Sequence, residues 1–135
     1  MSAASYFETR IQEIIRNFVL QASQDNSKIK ALMEAKAISR QYHTYFDWEA
    51  QNANKFLKLF GDNFSTSFQV KIKNEQELEE AIRSFIQIGG LRNELAHKNF
   101  AAYHIEQTGQ EVYELYQRAV KFVEEFEKAL LDCPE

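Results

Sequence analysis

Between Leu78 and Phe100 the chain reads LEEAIRSFIQIGGLRNELAHKNF, and no other stretch restricts the fold as strongly. On an ideal helix at 100° per residue, Leu78, Ile82, Phe85 and Gly89 fall in one narrow stripe that Ala96 extends. Ile88, Leu91 and Leu95 occupy the other side. A helix that is apolar nearly all round is buried on two sides. In a chain of 135 residues the second cover is expected to be another subunit, so a homodimer, or a heterodimer with a related bundle, is expected through this helix.

The same face carries groups that a core does not need. Arg92 and Asn93 flank the stripe where Leu or Ile would ordinarily continue it, and His97 follows beside Asn93. Asn93 and His97 have the i, i+4 spacing of neighbours. Arg92 and His97 are five positions apart, about 140° on the wheel, and so bracket a groove floored by the small residues Gly89 and Ala96. Burying a guanidinium without an anion is costly. Arg92 therefore requires a phosphate, or an acidic side chain from another helix or subunit, because Glu94 lies elsewhere on the wheel. A lone His on an apolar face is usually a satisfied core residue, and Asn93 has its own reading as a buried amide that fixes helix packing. The neighbouring Arg is what turns the set toward chemistry.

Arg92, Asn93 directly after it, and His97 resemble the Arg-x4-His signature of HEPN domains, a family of helical bundles. The strings ISRQYHTYFDW, NANKFLKLFG, IGGLRNELAHKNF and LYQRAVKFVEEF extend that resemblance over nearly the whole chain, to the RiboL-PSP-HEPN-like branch. The resemblance implies an all-α, up-and-down bundle and, for many members, a metal-independent ribonuclease. It also implies that Asn93 supports the site. Some family toxins silenced by nucleotidyltransferase antitoxins carry a Tyr two residues after the motif His. That position is Asn99 here, so modification of that Tyr is not implied.

Taken in order, Ser5 with Glu8 reads as a capping box opening a helix over about 6–23, with Phe7, Ile11, Ile14, Ile15, Phe18 and Ala22 as its core face. A polar break at 23–26 follows, with Asn26 or Ser27 as the next N-cap. Residues 28–60 read as one kinked helix or two consecutive ones, Asp47 able to cap the second and Gly61 ending it. In 61–73 the alternation of Phe68, Val70 and Ile72 has strand period, which predicts an extended arm over 64–73 packed on the bundle, with pairing to its copy in a dimer as the alternative. Asn74 with Glu77 then caps the motif helix, about 75–98. Gly89-Gly90 costs that helix roughly 1 kcal/mol per Gly, so the pair is expected to serve close packing or a kink. Thr108 and Glu111 open a last helix whose face is Val112, Leu115, Tyr116, Ala119, Val123, Phe126 and Leu130, with Pro134 beyond its end. The expectation is a single domain over 1–135 with four to five helices.

Several function classes are excluded. A net charge of −4 argues against a broad, sequence-blind DNA surface, which relies on many cations at phosphates. Arg83 and Lys98 nevertheless surround the motif and are candidate RNA contacts. Cys133 is the only cysteine, which rules out a disulfide framework and a CxxC metal site. His43 and His104 read as surface or packing residues and have no metal spacing with Asp47, so neither a catalytic metal nor a cofactor is expected. Gly89-Gly90 lacks the Lys-Ser/Thr of a phosphate loop. Without a signal peptide or an apolar run approaching 18 residues, a cytoplasmic protein with no membrane contact is expected. Tyr42, Tyr45, Phe46 and Trp48 offer base-stacking surface, although aromatics at helical spacing are more often core.

Two readings follow. In one, the chain is an endoribonuclease in which His97 moves the proton of the ribose 2′-OH or leaving oxygen and Arg92 stabilises the charge at phosphorus. In the other, it is a noncatalytic bundle that binds RNA, a nucleotide or a protein partner. An antitoxin is left open in both.

Overall fold

The computed structural model describes residues 2–97 and 109–132, with side chains described for 2–92 and 109–132. Among these residues there are seven α-helices and no strand. Helix α1 is Ala3–Ala22 and α2 is Ser27–Met33, running on as a π-helical turn over Glu34–Ile38. Short helices α3 (Tyr42–Tyr45) and α4 (Asn54–Leu57) follow, the latter tightening into a 3₁₀ turn at Lys58–Phe60. Helices α5 (Asp62–Asn74), α6 (Gln76–His97) and α7 (Gly109–Asp132) complete the bundle. The all-α expectation holds. No described helix is long and apolar enough to cross a membrane.

Helix α1 starts one turn before its expected position, because Ser2 rather than Ser5 accepts the cap hydrogen bond, from the Ser5 N–H at 3.2 Å. Glu8 is thereby freed from capping. Phe7, Ile11, Ile14, Ile15 and Val19 form the buried stripe. Gln24 and Asp25 adopt left-handed backbone in the polar break, and Asn26 caps α2 by accepting from the N–H groups of Lys28 and Ile29, both at 3.0 Å.

The long helical reading of 28–60 is corrected. Arg40 takes φ 62°, a conformation no helix continues through, and the Tyr45 hydroxyl donates to the Ala37 carbonyl at 2.6 Å across the break. Asp47 does not cap a helix; its Oδ1 accepts from the Glu49 N–H at 3.1 Å and closes a turn. The physical reason is aromatic burial: the interruption lets Phe46 reach Phe56 at 4.5 Å and Phe85 at 5.1 Å between ring centroids.

The extended arm expected over 64–73 is corrected as well. It is helix α5, because Phe64, Phe68 and Ile72 are spaced four apart and share the face packed on the core, while Val70 is exposed. The apparent alternation covered too few residues to separate period 2 from period 3.6.

Helices α6 and α7 make the most extensive helix pair, and their facing residues meet as Phe85 against Phe122 at 5.0 Å. Phe126 extends this layer to Phe56 at 4.8 Å and Phe60 at 5.5 Å. At the far end Lys121 pairs with Glu77 at 3.2 Å. Helix α1 lies against both, held to α7 by Arg10 and Glu127 at 2.8 Å. Ile88 is 4% exposed, so the chain's own core covers part of the stripe expected to face a second subunit. Leu91 is half-buried, and Leu95 lies outside the residues with described side chains. Asn74 ends α5 rather than capping α6; the Glu75 carbonyl accepts from the Leu78 N–H at 3.0 Å. Thr108, Cys133 and Pro134 lie outside the described residues.

Candidate functional site

Toward the C-terminal end of α6, its packing against α1 and α3 leaves a cleft of about 270 Å³. Arg92 stands on α6 at its rim, 45% exposed, with Nη1 donating to Oε1 of Glu8 on α1. Across from α6, Tyr42 and His43 of α3 and Trp48 of the following turn complete the lining, with Phe7 and Phe85 deeper in. The acidic partner that Arg92 requires is therefore a side chain from another helix of the same chain.

Gly89 explains how close these elements come. A Cβ there would stand 2.0 Å from Cζ3 of Trp48, so the indole lies directly on the helix backbone. The expectation of close packing at the glycine pair holds at Gly89, whereas the expectation of open room above it does not: Trp48 fills that space. At Gly90 a Cβ would meet only the Trp48 carbonyl oxygen, at 3.5 Å. The indole is further oriented by its Nε1–H, which donates to the His43 carbonyl at 3.0 Å, and by Phe46 at 4.9 Å.

Tyr42 is buried beneath the ion pair, and its phenol is pushed far above the usual tyrosine range, by burial first and by the Glu8 carboxylate second, with Arg92 opposing. It is thus a neutral wall at any physiological pH. The cleft joins an aromatic lining to one carboxylate, one guanidinium and an exposed imidazole, a combination suited to a planar polar ring carrying an anionic group.

Of the sequence-derived site residues, Arg92 is at the cleft. Arg83 is not: nine positions earlier, about 180° round and about 13.5 Å along the helix, it pairs with Glu79 at 2.8 Å. The helical backbone runs through Asn93 and His97, whose side chains lie outside the described residues, as do Lys98, Asn99 and His104 altogether. Among the described residues no group of three His, Cys, Asp or Glu could hold a metal ion. Sequence reasoning gives Glu8 only a capping role and reads His43 as a surface or packing residue, so it puts neither at the cleft, Glu8 because 84 positions separate it from Arg92. The aromatic run at 42–48 was visible; which of its buried or half-buried rings also line the cleft (Tyr42, Trp48) and which do not (Tyr45, Phe46) was not.

The family model described as RiboL-PSP-HEPN matches residues 1–132. No curated protein matches the chain, and no solved structure does.

Proposed function

Since the chain belongs to the RiboL-PSP-HEPN family, we propose that it is a metal-independent endoribonuclease, acting in the cytoplasm as a toxin, a defence factor or an RNA-processing effector. The observation that carries this reading is the half-exposed Arg92 guanidinium at the rim of an aromatic-lined cleft, on a helix that continues unbroken through His97. Arg92 stabilises the negative charge that develops on the phosphoryl oxygens. His97 serves as general base or acid for the 2′-OH or the leaving oxygen, with Asn93 in support. The 2′-OH is the nucleophile, so the products carry 2′,3′-cyclic phosphate ends. Arg83 and Lys98 contribute phosphate contacts.

In this reading the active unit is a homodimer through the motif helix, with Leu91 at the contact; an antitoxin or another protein is a further partner. Leu91→Glu should then shift sedimentation to the monomer.

The test is cleavage of pooled tRNA and mRNA with EDTA present. His97→Ala should lose about 10²–10⁴-fold activity, and Arg92→Ala about 10²–10³-fold, with helical circular dichroism retained. Wild-type cleavage by His97→Ala, or cleavage abolished by EDTA, would refute the assignment. The Glu8–Arg92 pair favours one second reading, because it satisfies the guanidinium without substrate: a noncatalytic bundle that binds RNA, a nucleotide or a protein partner. RNA binding without any cut product would establish the RNA-binding form of it.

A further inference from the structure

We propose that the cleft between α1, α3 and α6 is a nucleobase subsite that prefers a base with amino donors on its pairing edge, guanine foremost, and that Glu8 is the residue that reads it. This deepens the ribonuclease reading and rests on it for the identity of the ligand as RNA.

The first argument is size. At about 270 Å³ the cleft lies just below the usual range of small-ligand sites, about 300–1,000 Å³, so it suits one planar ring system rather than a dinucleotide. The second is the character of its walls. Trp48 is half-buried and fixed in orientation by its hydrogen bond to the His43 carbonyl and by contact with Gly89. With the exposed ring of His43 beside it, it offers a pre-ordered stacking surface, and stacking on aromatic rings is how unpaired RNA bases are held. The third is charge. Glu8 neutralises Arg92, so a phosphate alone gains little net attraction here, and binding requires contacts from the rest of the nucleotide. A carboxylate has about four acceptor positions and no donors. After taking one N–H from Arg92, Glu8 still accepts the N1–H and the amino group of guanine; uracil, with two carbonyls flanking its one N–H, presents oxygen to oxygen. Arg92 meanwhile keeps donors for the phosphate attached to that nucleotide.

Trp48 is the only tryptophan of the chain, so its emission reports on this cleft. The full-length protein is titrated with guanosine 3′-phosphate, uridine 3′-phosphate, guanosine and inorganic phosphate, and with a short single-stranded RNA containing one G or none. Saturable quenching by guanosine 3′-phosphate is expected, with uridine 3′-phosphate weaker by about 5- to 150-fold, the range of one good two-point base contact, and no response to inorganic phosphate. Glu8→Gln should bring guanosine 3′-phosphate to the uridine level, and His43→Ala, at an exposed position, should weaken both equally. Tighter binding of the G-containing RNA than of the mononucleotide assigns the subsite to RNA, whereas equal binding assigns it to a free nucleotide. No quenching at millimolar nucleotide, quenching reproduced by phosphate alone, or a guanine preference intact in Glu8→Gln each overturns the proposal. RNA cleavage without quenching overturns this subsite alone; quenching without cleavage overturns the nuclease reading alone.

Discussion

Two adjacent glycines of α6 should respond to alanine with opposite signs. A Cβ on Gly89 would lie 2.0 Å from Cζ3, 2.5 Å from Cε3 and 2.6 Å from Cη2 of Trp48, whereas ordinary contact begins at 3.4 Å. The indole would have to retreat by about 1.4 Å, the difference between those limits. It is not free to do so, being tied to the His43 carbonyl at 3.0 Å and packed on Phe46 at 4.9 Å. Overpacking of this kind costs about 1–3 kcal/mol, while alanine in a helix interior is favoured over glycine by about 1 kcal/mol. Gly89→Ala should therefore lose about 1 kcal/mol net, with about 2 kcal/mol as the ceiling. At Gly90 the added Cβ makes only ordinary contact at 3.5 Å, so Gly90→Ala should gain up to about 1 kcal/mol from the helix term alone. The propensity term cancels between the two variants, and their difference, about 1–3 kcal/mol, isolates the clash. Thermal denaturation followed by circular dichroism reads this as about 3–5 °C per kcal/mol for a domain of this size, and Trp48 emission should move only in Gly89→Ala. Equal melting temperatures with unchanged emission would refute the placement of the indole on Gly89.

Phe126→Ala should cost about 3–5 kcal/mol, since the ring is fully buried against Phe56 and Phe60; urea unfolding measures it, and a loss below about 1 kcal/mol would contradict the packing. Tyr45→Phe removes the 2.6 Å bond to the Ala37 carbonyl and should lose about 0.5–1.5 kcal/mol at neutral pH. Burial pushes the Tyr45 phenol up from 10.0 to about 12. Its stabilising share is complete below pH 10 and is lost as pH rises toward 12, so Tyr45→Phe should flatten that alkaline decline in a urea-midpoint series. Lys71 holds the Glu125 carboxyl below its ordinary 4.5 by a direct hydrogen bond. That contribution is present above pH 4.5 and disappears as pH falls through the depressed value, so Glu125→Gln should be less stable than wild type at pH 7 and show a shallower acid limb.

Where a helix must bury one face along five or six turns, apolar spacing is enough to identify it, which is why α1, α6 and α7 and the buried residues Phe7, Ile11, Leu78, Phe85, Leu115 and Phe126 were legible from periodicity. The cap of α2 was legible to within Asn26 or Ser27, because capping is chemistry between near neighbours, and the structure decides for Asn26. Arg92 could be singled out for the same local reason: a guanidinium interrupts an apolar face and demands a partner. Local spacing could not say which partner. Glu8 reaches Arg92 only because α1 packs across α6, and the break at Arg40 that swings Trp48 onto Gly89 is favoured by contacts between segments some forty positions apart. Helix α5 was misread for a related reason: five residues fit both periods, and the choice falls to Phe64, Phe68 and Ile72 finding the aromatic core on one side. Patterns that repeat within a turn or two are written in the order of residues, whereas a cleft consists of the distances between elements, and those are set by which surfaces bury one another most completely.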